Sequence, residues 1–376
     1  MRLEFPSCRT RKLSALSERP QRRSSPGAPA ADMSARSTYG TSGMLTCCVF
    51  LLRIAQSAVA GASWTYTGDH GQDHWAESYP DCDGMAQSPI NIKTADVSYD
   101  GTLPPIRPEG YSSPGGAPFT LSNNGHTVKL SLPPSMQLSG LPNNYTAVQL
   151  HLHWGNTSNP EGSEHQLDGK MSLAELHIVH YNSDKFPNIN EAKDKPNGLA
   201  VLGVLIETGS EDNAAYGKIL SYLDKVTYAD QSVSVPSFNI EVLLPEGPDQ
   251  YFRYGGSLTT PPCYESVVWT IFYNKVQISM SQMDKLQTML YSTKASSPSA
   301  VLQSNVRHPQ PLNQRTVYSS FMMQPALTTG KILGIVFGTF LGLLGLSLVL
   351  YYIIKQVRKH REQTSGPSEQ PGGVKA

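Results

Sequence analysis

The chain has no excess of charge of either sign. Lysine plus arginine number 30 and aspartate plus glutamate number 30, a balance that gives no basic surface for a polyanion and argues against nucleic acid as a partner. Cysteine is nearly as scarce, with five in 376 residues, too few and too scattered for a structural zinc cluster. No HExxH motif occurs, so a zinc hydrolase of peptides has no anchor here. There is no internal repeat, and no linker-like break interrupts Trp64 to Phe321, so a solenoid or a string of small modules is not expected.

What the chain does have is one long apolar run. Ile332 to Ile354 (ILGIVFGTFLGLLGLSLVLYYII) carries no charge, and at about 1.5 Å per residue it reaches roughly 34 Å, enough to cross a hydrocarbon core of about 30 Å. Lys355, Arg358, Lys359 and Arg361 follow directly. Positive residues favour the cytosolic side, which predicts a single-pass type I protein of the plasma membrane with its bulk outside. Gly334, Gly338 and Gly342 recur every fourth residue, a face through which two spans could pack as a homodimer.

Near the other end, MLTCCVFLLRIAQSAVAGA (Met44 to Ala62) reads as a secretory signal cleaved after Ala60 or Ala62, although Arg53 interrupts its apolar core. Met1 to Gly43 is rich in Arg, Ser and Pro and is not expected to fold; initiation at Met44 would remove it, and a genuine long leader is the alternative. The expected organisation is leader and signal (1–62), an extracellular domain (63–323), a stalk (324–331) into which a polar stretch leads from Leu312, the span (332–354) and a cytoplasmic tail (355–376). Cys8, Cys47 and Cys48 fall in the leader, leaving Cys82 and Cys263. In an oxidising compartment two cysteines suggest one disulfide, two buried thiols being the alternative.

Within the domain, strand-like runs recur at 126–132, 146–154, 173–181, 199–207, 238–244 and 266–273. Helical spacing is confined to 214–226 and 281–291, the second with Ser281 and Asp284 as a candidate capping box. The expected fold is mainly β (α+β), a large twisted and mostly antiparallel central sheet with short peripheral helices, plus one transmembrane helix.

Chemistry concentrates in VQLHLHWG (148–155). In a strand, residues i and i+2 leave the same face about 6.5 to 7 Å apart, so Gln149, His151 and His153 share one face, and Val148, Leu150, Leu152 and Trp154 the other. LAELHIVHY (173–181) repeats the alternation, with Glu175, His177 and Val179 on one face. If the two strands are neighbours, His177 joins the pair. Three imidazoles with a fourth position left to water are the donor set of a catalytic zinc site. Gln149 and Glu175, each two residues before a candidate ligand, could orient those rings.

The chain is similar to the α-class carbonic anhydrases from Trp64 to about Phe321, through GQDHW, QSPINI, NNGHTV, QLHLHWG, SEH, AELHIVHYN, LAVLGVLIE and GSLTTPPC. Within that family it resembles the single-span extracellular members. The resemblance implies reversible hydration of carbon dioxide to bicarbonate, with zinc on His151, His153 and His177. It implies that Thr259 accepts a hydrogen bond from the attacking hydroxide and donates its own hydrogen bond to Glu164, and that Thr260 lines the bicarbonate site. Val179, Val201, Leu258 and Trp269 would form the apolar wall for carbon dioxide, and His126 the proton shuttle, with Tyr66, Asn124 and Tyr254 holding connecting waters. Lys129 stands where relatives usually have a neutral polar residue. Inhibition by sulfonamides and small anions is also implied. His70, His74, His165 and His180 are assigned no metal, and the sequons at Asn144 and Asn156 are glycosylation candidates, Asn144 the better one. A non-catalytic adhesion ectodomain on the same scaffold is the alternative; it would typically lack a zinc histidine.

Overall fold

The computed structural model describes residues 63–323, 329–364 and 366. The expected leader and signal, most of the stalk, and the tail beyond 366 lie outside the described residues.

Alternating side chains need a surface with two buried faces, and six strands in the middle of the domain supply it. They are β1 (Val128–Ser131), β2 (Tyr145–Trp154), β3 (Ala174–Asn182), β4 (Leu199–Gly209), β5 (Tyr251–Gly256) and β6 (Val267–Phe272). They lie in the order β1-β2-β3-β4-β6-β5 within a 13-stranded sheet. Of these neighbours only β4 and β6 run parallel, so the expected mainly β fold, with its mostly antiparallel sheet and short helices, is what the structure has. β4 reads as an almost unbroken apolar run because both its faces are covered: Ala200, Leu202 and Val204 enter one core cluster and Leu199, Val201 and Leu205 a second. The second cluster lies on the histidine side.

Four local expectations are corrected. The run 238–244 is not a strand; its C-terminal half is a 3-10 turn, Glu241–Leu243, where the Asn239 side chain accepts the Glu241 N–H, a local bond that competes with sheet pairing. The helix Met280–Thr288 is capped two residues earlier than expected, by Ser279 with Gln282 in the reciprocal capping box. Residues from Leu312 do not begin a stalk: Leu312, Val317 and Phe321 pack on the second cluster, and Tyr318–Ser319 pairs with β5. Val148 is the extra residue of a bulge between Ala147 and Gln149, so it leaves the core phase and Ala147 takes that place in the first cluster. β5 (YFRYGG) is a strand that was not among those expected.

The helix Ala214–Leu220 is capped by Asn213, whose side chain accepts from Ala215 and Tyr216. Cys82 and Cys263 form the disulfide, packed with Trp75. Taken by itself, the helix Thr329–Thr364 contains a segment, Leu333–Arg361, long and apolar enough to cross a membrane.

Candidate active site

The pairing register brings the histidines together. His151 on β2 lies directly opposite His177 on β3, and His153 opposite Glu175. Ring centroids are 5.0 Å apart for His151 and His153, 5.2 Å for His151 and His177, and 4.6 Å for His153 and His177. One nitrogen from each ring falls within 4.8 Å of the other two.

Which nitrogen faces inward is set by what holds the other. His151 Nδ1 lies 3.0 Å from Gln149 Oε1, His153 Nδ1 lies 2.7 Å from the Asn305 carbonyl, and His177 Nε2 lies 2.8 Å from Glu175 Oε1. Each ring therefore donates outward, leaving His151 Nε2, His153 Nε2 and His177 Nδ1 as lone-pair donors toward one point. Burial lowers the pKa of all three rings, that of His153 to about 4, so they stay neutral and able to ligate. His153 Nε2 is buried and has no hydrogen-bond partner. An orphaned imidazole nitrogen facing two others is the fit a divalent cation requires, and three nitrogens leave one tetrahedral corner open. The neighbouring group His165, Glu175 and His177 is different: Glu175 Oε1 bonds His165 Nδ1 at 2.7 Å as well as His177 Nε2, so those atoms satisfy one another.

Glu175 is itself fixed by its surroundings. Its Oε2 accepts the backbone N–H of Glu164 at 2.9 Å and of His165 at 2.8 Å, and a Cβ on Gly203, across from His177, would stand 3.1 Å from its Oε1. Glu164 is fully buried, with Oε1 accepting the Arg307 N–H at 2.9 Å and Oε2 3.4 Å from His153 Nε2. Burial pushes its carboxyl up to about 7, against the lowering effects of His177 and of a hydrogen bond with Thr259. Thr259 is buried, and Thr260 beside it is half-buried.

The apolar residues expected near the site share one cluster: Val179, Val201 and Trp269 are buried in it and Leu258 packs against it. Val201 pairs with Val179 on one side and Trp269 on the other, and the Trp269 ring lies 4.8 Å from that of His177. His126 stacks on Trp64 at 3.8 Å; partial burial lowers its pKa. Asn124 is exposed and its Oδ1 accepts the N–H groups of His126 and Thr127. Tyr66 is half-buried, its hydroxyl pKa raised by burial and then by Glu164. Lys129 pairs with His151 across β1 and β2.

Tyr254 is placed otherwise than expected. Only 2% exposed, its hydroxyl lies 2.9 Å from Ser88 Oγ and 2.7 Å from His165 Nε2, which puts it in the buried chain behind Glu175 instead of on a water path. Four contributors had no signal in the local pattern. His165 and Gly203 support Glu175, and Asn305 supports His153 and also bonds the His126 carbonyl at 3.0 Å. Arg307 holds Glu164. Their partners are far away in sequence or differ in element type, so no periodicity marks them.

Three inward imidazoles with an open corner, set against an apolar wall and a buried Thr–Glu pair, form a site able to hold a metal ion. The chain belongs to the eukaryotic-type carbonic anhydrases, whose family pattern matches residues 70–321. Carbonic anhydrase 12 of Homo sapiens is 47% identical over 304 residues, 80% of this chain and 86% of that protein. Carbonic anhydrase 6 of Bos taurus is 39% identical over 281 residues, covering 74% and 86%, and that of Canis lupus familiaris 40% over 270 residues, covering 71% and 82%. The protein is thus a carbonic anhydrase, an enzyme of carbon dioxide hydration.

Proposed function

We propose that this carbonic anhydrase works with zinc on His151, His153 and His177, at the outer face of a membrane. The observation that carries the reading is the unpartnered His153 Nε2 within a cage of three outward-anchored rings. Zinc supplies a Lewis acid that brings a water's pKa toward neutrality, as is established for this enzyme class.

The remaining work falls to side chains of this chain. Thr259 accepts a hydrogen bond from the attacking water and donates its own hydroxyl hydrogen bond to Glu164, aiming a lone pair at the carbon. Val179, Val201, Leu258 and Trp269 hold carbon dioxide by dispersion in a dry wall, and Thr260 with the Thr259 N–H receives bicarbonate. His126 carries the released proton to solvent through waters held by Tyr66 and Asn124, imidazole being the side chain whose ordinary titration falls nearest neutral pH. Small anions and sulfonamides, which offer a lone pair at the same corner and a partner for the Thr259 N–H, are the expected inhibitors.

The signal-like segment, the apolar helix and its basic flank support a type I plasma-membrane enzyme, with residues 63–323 outside and dimerisation through the Gly334, Gly338 and Gly342 face. Within the family these features suit a single-span isoform, carbonic anhydrase XIV or, as the alternative, isoform XII. A non-catalytic adhesion role is disfavoured because all three histidines and the Thr259–Glu164 pair are present.

The test is stopped-flow carbon dioxide hydration by the detergent-solubilised chain, with a metal count. One zinc per chain, activity lost on chelation and restored by zinc, and neither property in His177→Ala are expected. Activity surviving His177→Ala overturns the assignment.

A further inference from the structure

On the face of the sheet away from the histidines, a cavity of about 430 Å³ opens beside Arg253. Arg253 pairs with Thr270 between β5 and β6, while Tyr254 and Trp269 next to them belong to the histidine-side cluster. Alternation therefore sends the guanidinium to the opposite face, beside Tyr251 of the first cluster. It is only 8% exposed.

Its polar partners are Thr270 and the Tyr251 side chain. Nε donates to Thr270 Oγ1 at 3.1 Å, and the guanidinium carbon lies 4.9 Å from the centre of the Tyr251 ring. Nη2 is buried and has no hydrogen-bond partner. Arg307, 4% exposed, shows how this same fold satisfies a buried guanidinium: Nη1 donates to Gln87 Oε1 at 2.8 Å and the Ser88 carbonyl at 2.9 Å, and Nη2 to the Cys82 carbonyl at 2.9 Å. Buried cations are ordinarily paired or fully hydrogen-bonded, since desolvation without compensation is costly. Arg253 departs from that rule at the wall of a cavity.

The rest of the lining defines what would fit. Lys185 stands exposed at the mouth, and Leu103, Val268 and Tyr318 give apolar walls. The one lining carboxylate, Asp100, has Oδ1 occupied by the Thr102 N–H and hydroxyl. A guanidinium fork matches a carboxylate in shape and charge, and the volume is in the range of small-molecule sites. We propose that this cavity binds a small monocarboxylate with an apolar body, its carboxylate seated on Arg253 and its body against Leu103, Val268 and Tyr318.

The test uses the zinc-loaded full chain in detergent micelles, with a sulfonamide saturating the metal so that no anion reads out there. Benzoate, bicarbonate and chloride are titrated by calorimetry and ligand-observed NMR. Benzoate is expected to bind best, with affinity reduced about tenfold or more in Arg253→Gln, the scale of a lost charge-assisted pair, and by a smaller factor in Lys185→Gln. Should Arg253→Gln fail to fold, Lys185→Gln at the exposed mouth and Val268→Phe, which fills the cavity, decide the matter by weakening benzoate. No benzoate binding, binding indifferent to these substitutions, or chloride or bicarbonate binding as tightly as benzoate would overturn the proposal. Carbon dioxide hydration and sulfonamide binding, measured on the same preparations, report separately on the metal site.

Discussion

Glu175 accepts the Nε2–H of His177 at 2.8 Å, and this bond turns Nδ1 of that ring toward the other two histidines. The carboxylate is held by two backbone N–H groups and by His165, so its position is set before any metal arrives. Glu175→Gln removes the charge while keeping the shape. Zinc affinity is expected to fall about 10- to 100-fold, the range found for such outer partners in metal sites, among them carbonic anhydrases; competition with a chromophoric chelator measures it. Gly203→Ala, whose Cβ crowds the same carboxylate and the Ile271 side chain, should weaken zinc in the same direction.

Proton export should depend on His126. In His126→Ala, turnover is expected to slow chiefly in dilute buffer and to recover with added imidazole. Stacking on Trp64 partly buries the ring and lowers its pKa. Trp64→Ala should therefore move its titration midpoint upward, toward the unperturbed value of about 6.5, as followed by NMR of the ring. A turnover rate indifferent to buffer in His126→Ala would remove the shuttle role.

Acid stability has an identifiable contributor on the far face of β3. His180 is buried between Tyr111 and the Ala200 carbonyl, and burial lowers its pKa to about 4. Its folded pKa lies below the unfolded one of about 6.5, so the unfolded chain takes up a proton first and stability declines as pH falls from about 6.5 to 4. By pH 5 this single group would cost roughly 2 kcal/mol relative to pH 8. Urea unfolding at both pH values should show a difference that is smaller by about this amount in His180→Gln than in wild type, the other buried histidines contributing equally to both.

The two sequons should differ in occupancy. Asn156 donates its amide to Ser304 Oγ at 2.8 Å, and its Oδ1 accepts the N–H groups of Ser158 and Asn159. Asn144 is exposed, and its amide makes one long contact of 3.3 Å with Asp184. Glycopeptide mass spectrometry of chain from a secretory host is expected to find glycan at Asn144 and an unmodified Asn156.

The sheet, the His151-x-His153 pair and the third histidine on another strand were legible because a period of two in side-chain direction survives in the amino-acid order itself. The same local logic identified Gln149 and Glu175, which sit on the same strands as the rings they orient. It went wrong at Val148, where one bulged residue resets the phase; the role of Tyr254, taken from the family resemblance, meets instead bonds to Ser88 and His165, which join segments with no pattern in common.

By itself, then, the sequence determined that β2 and β3 each present imidazoles on one face and that an apolar helix follows the domain, since both are properties of short windows. Only the tertiary structure decided that His151 stands opposite His177, that Asn305 anchors His153 from 152 residues away, that Arg307 is satisfied and that Arg253 is not. Register and long-range hydrogen bonds depend on how the whole chain packs. No window of neighbouring residues contains that information.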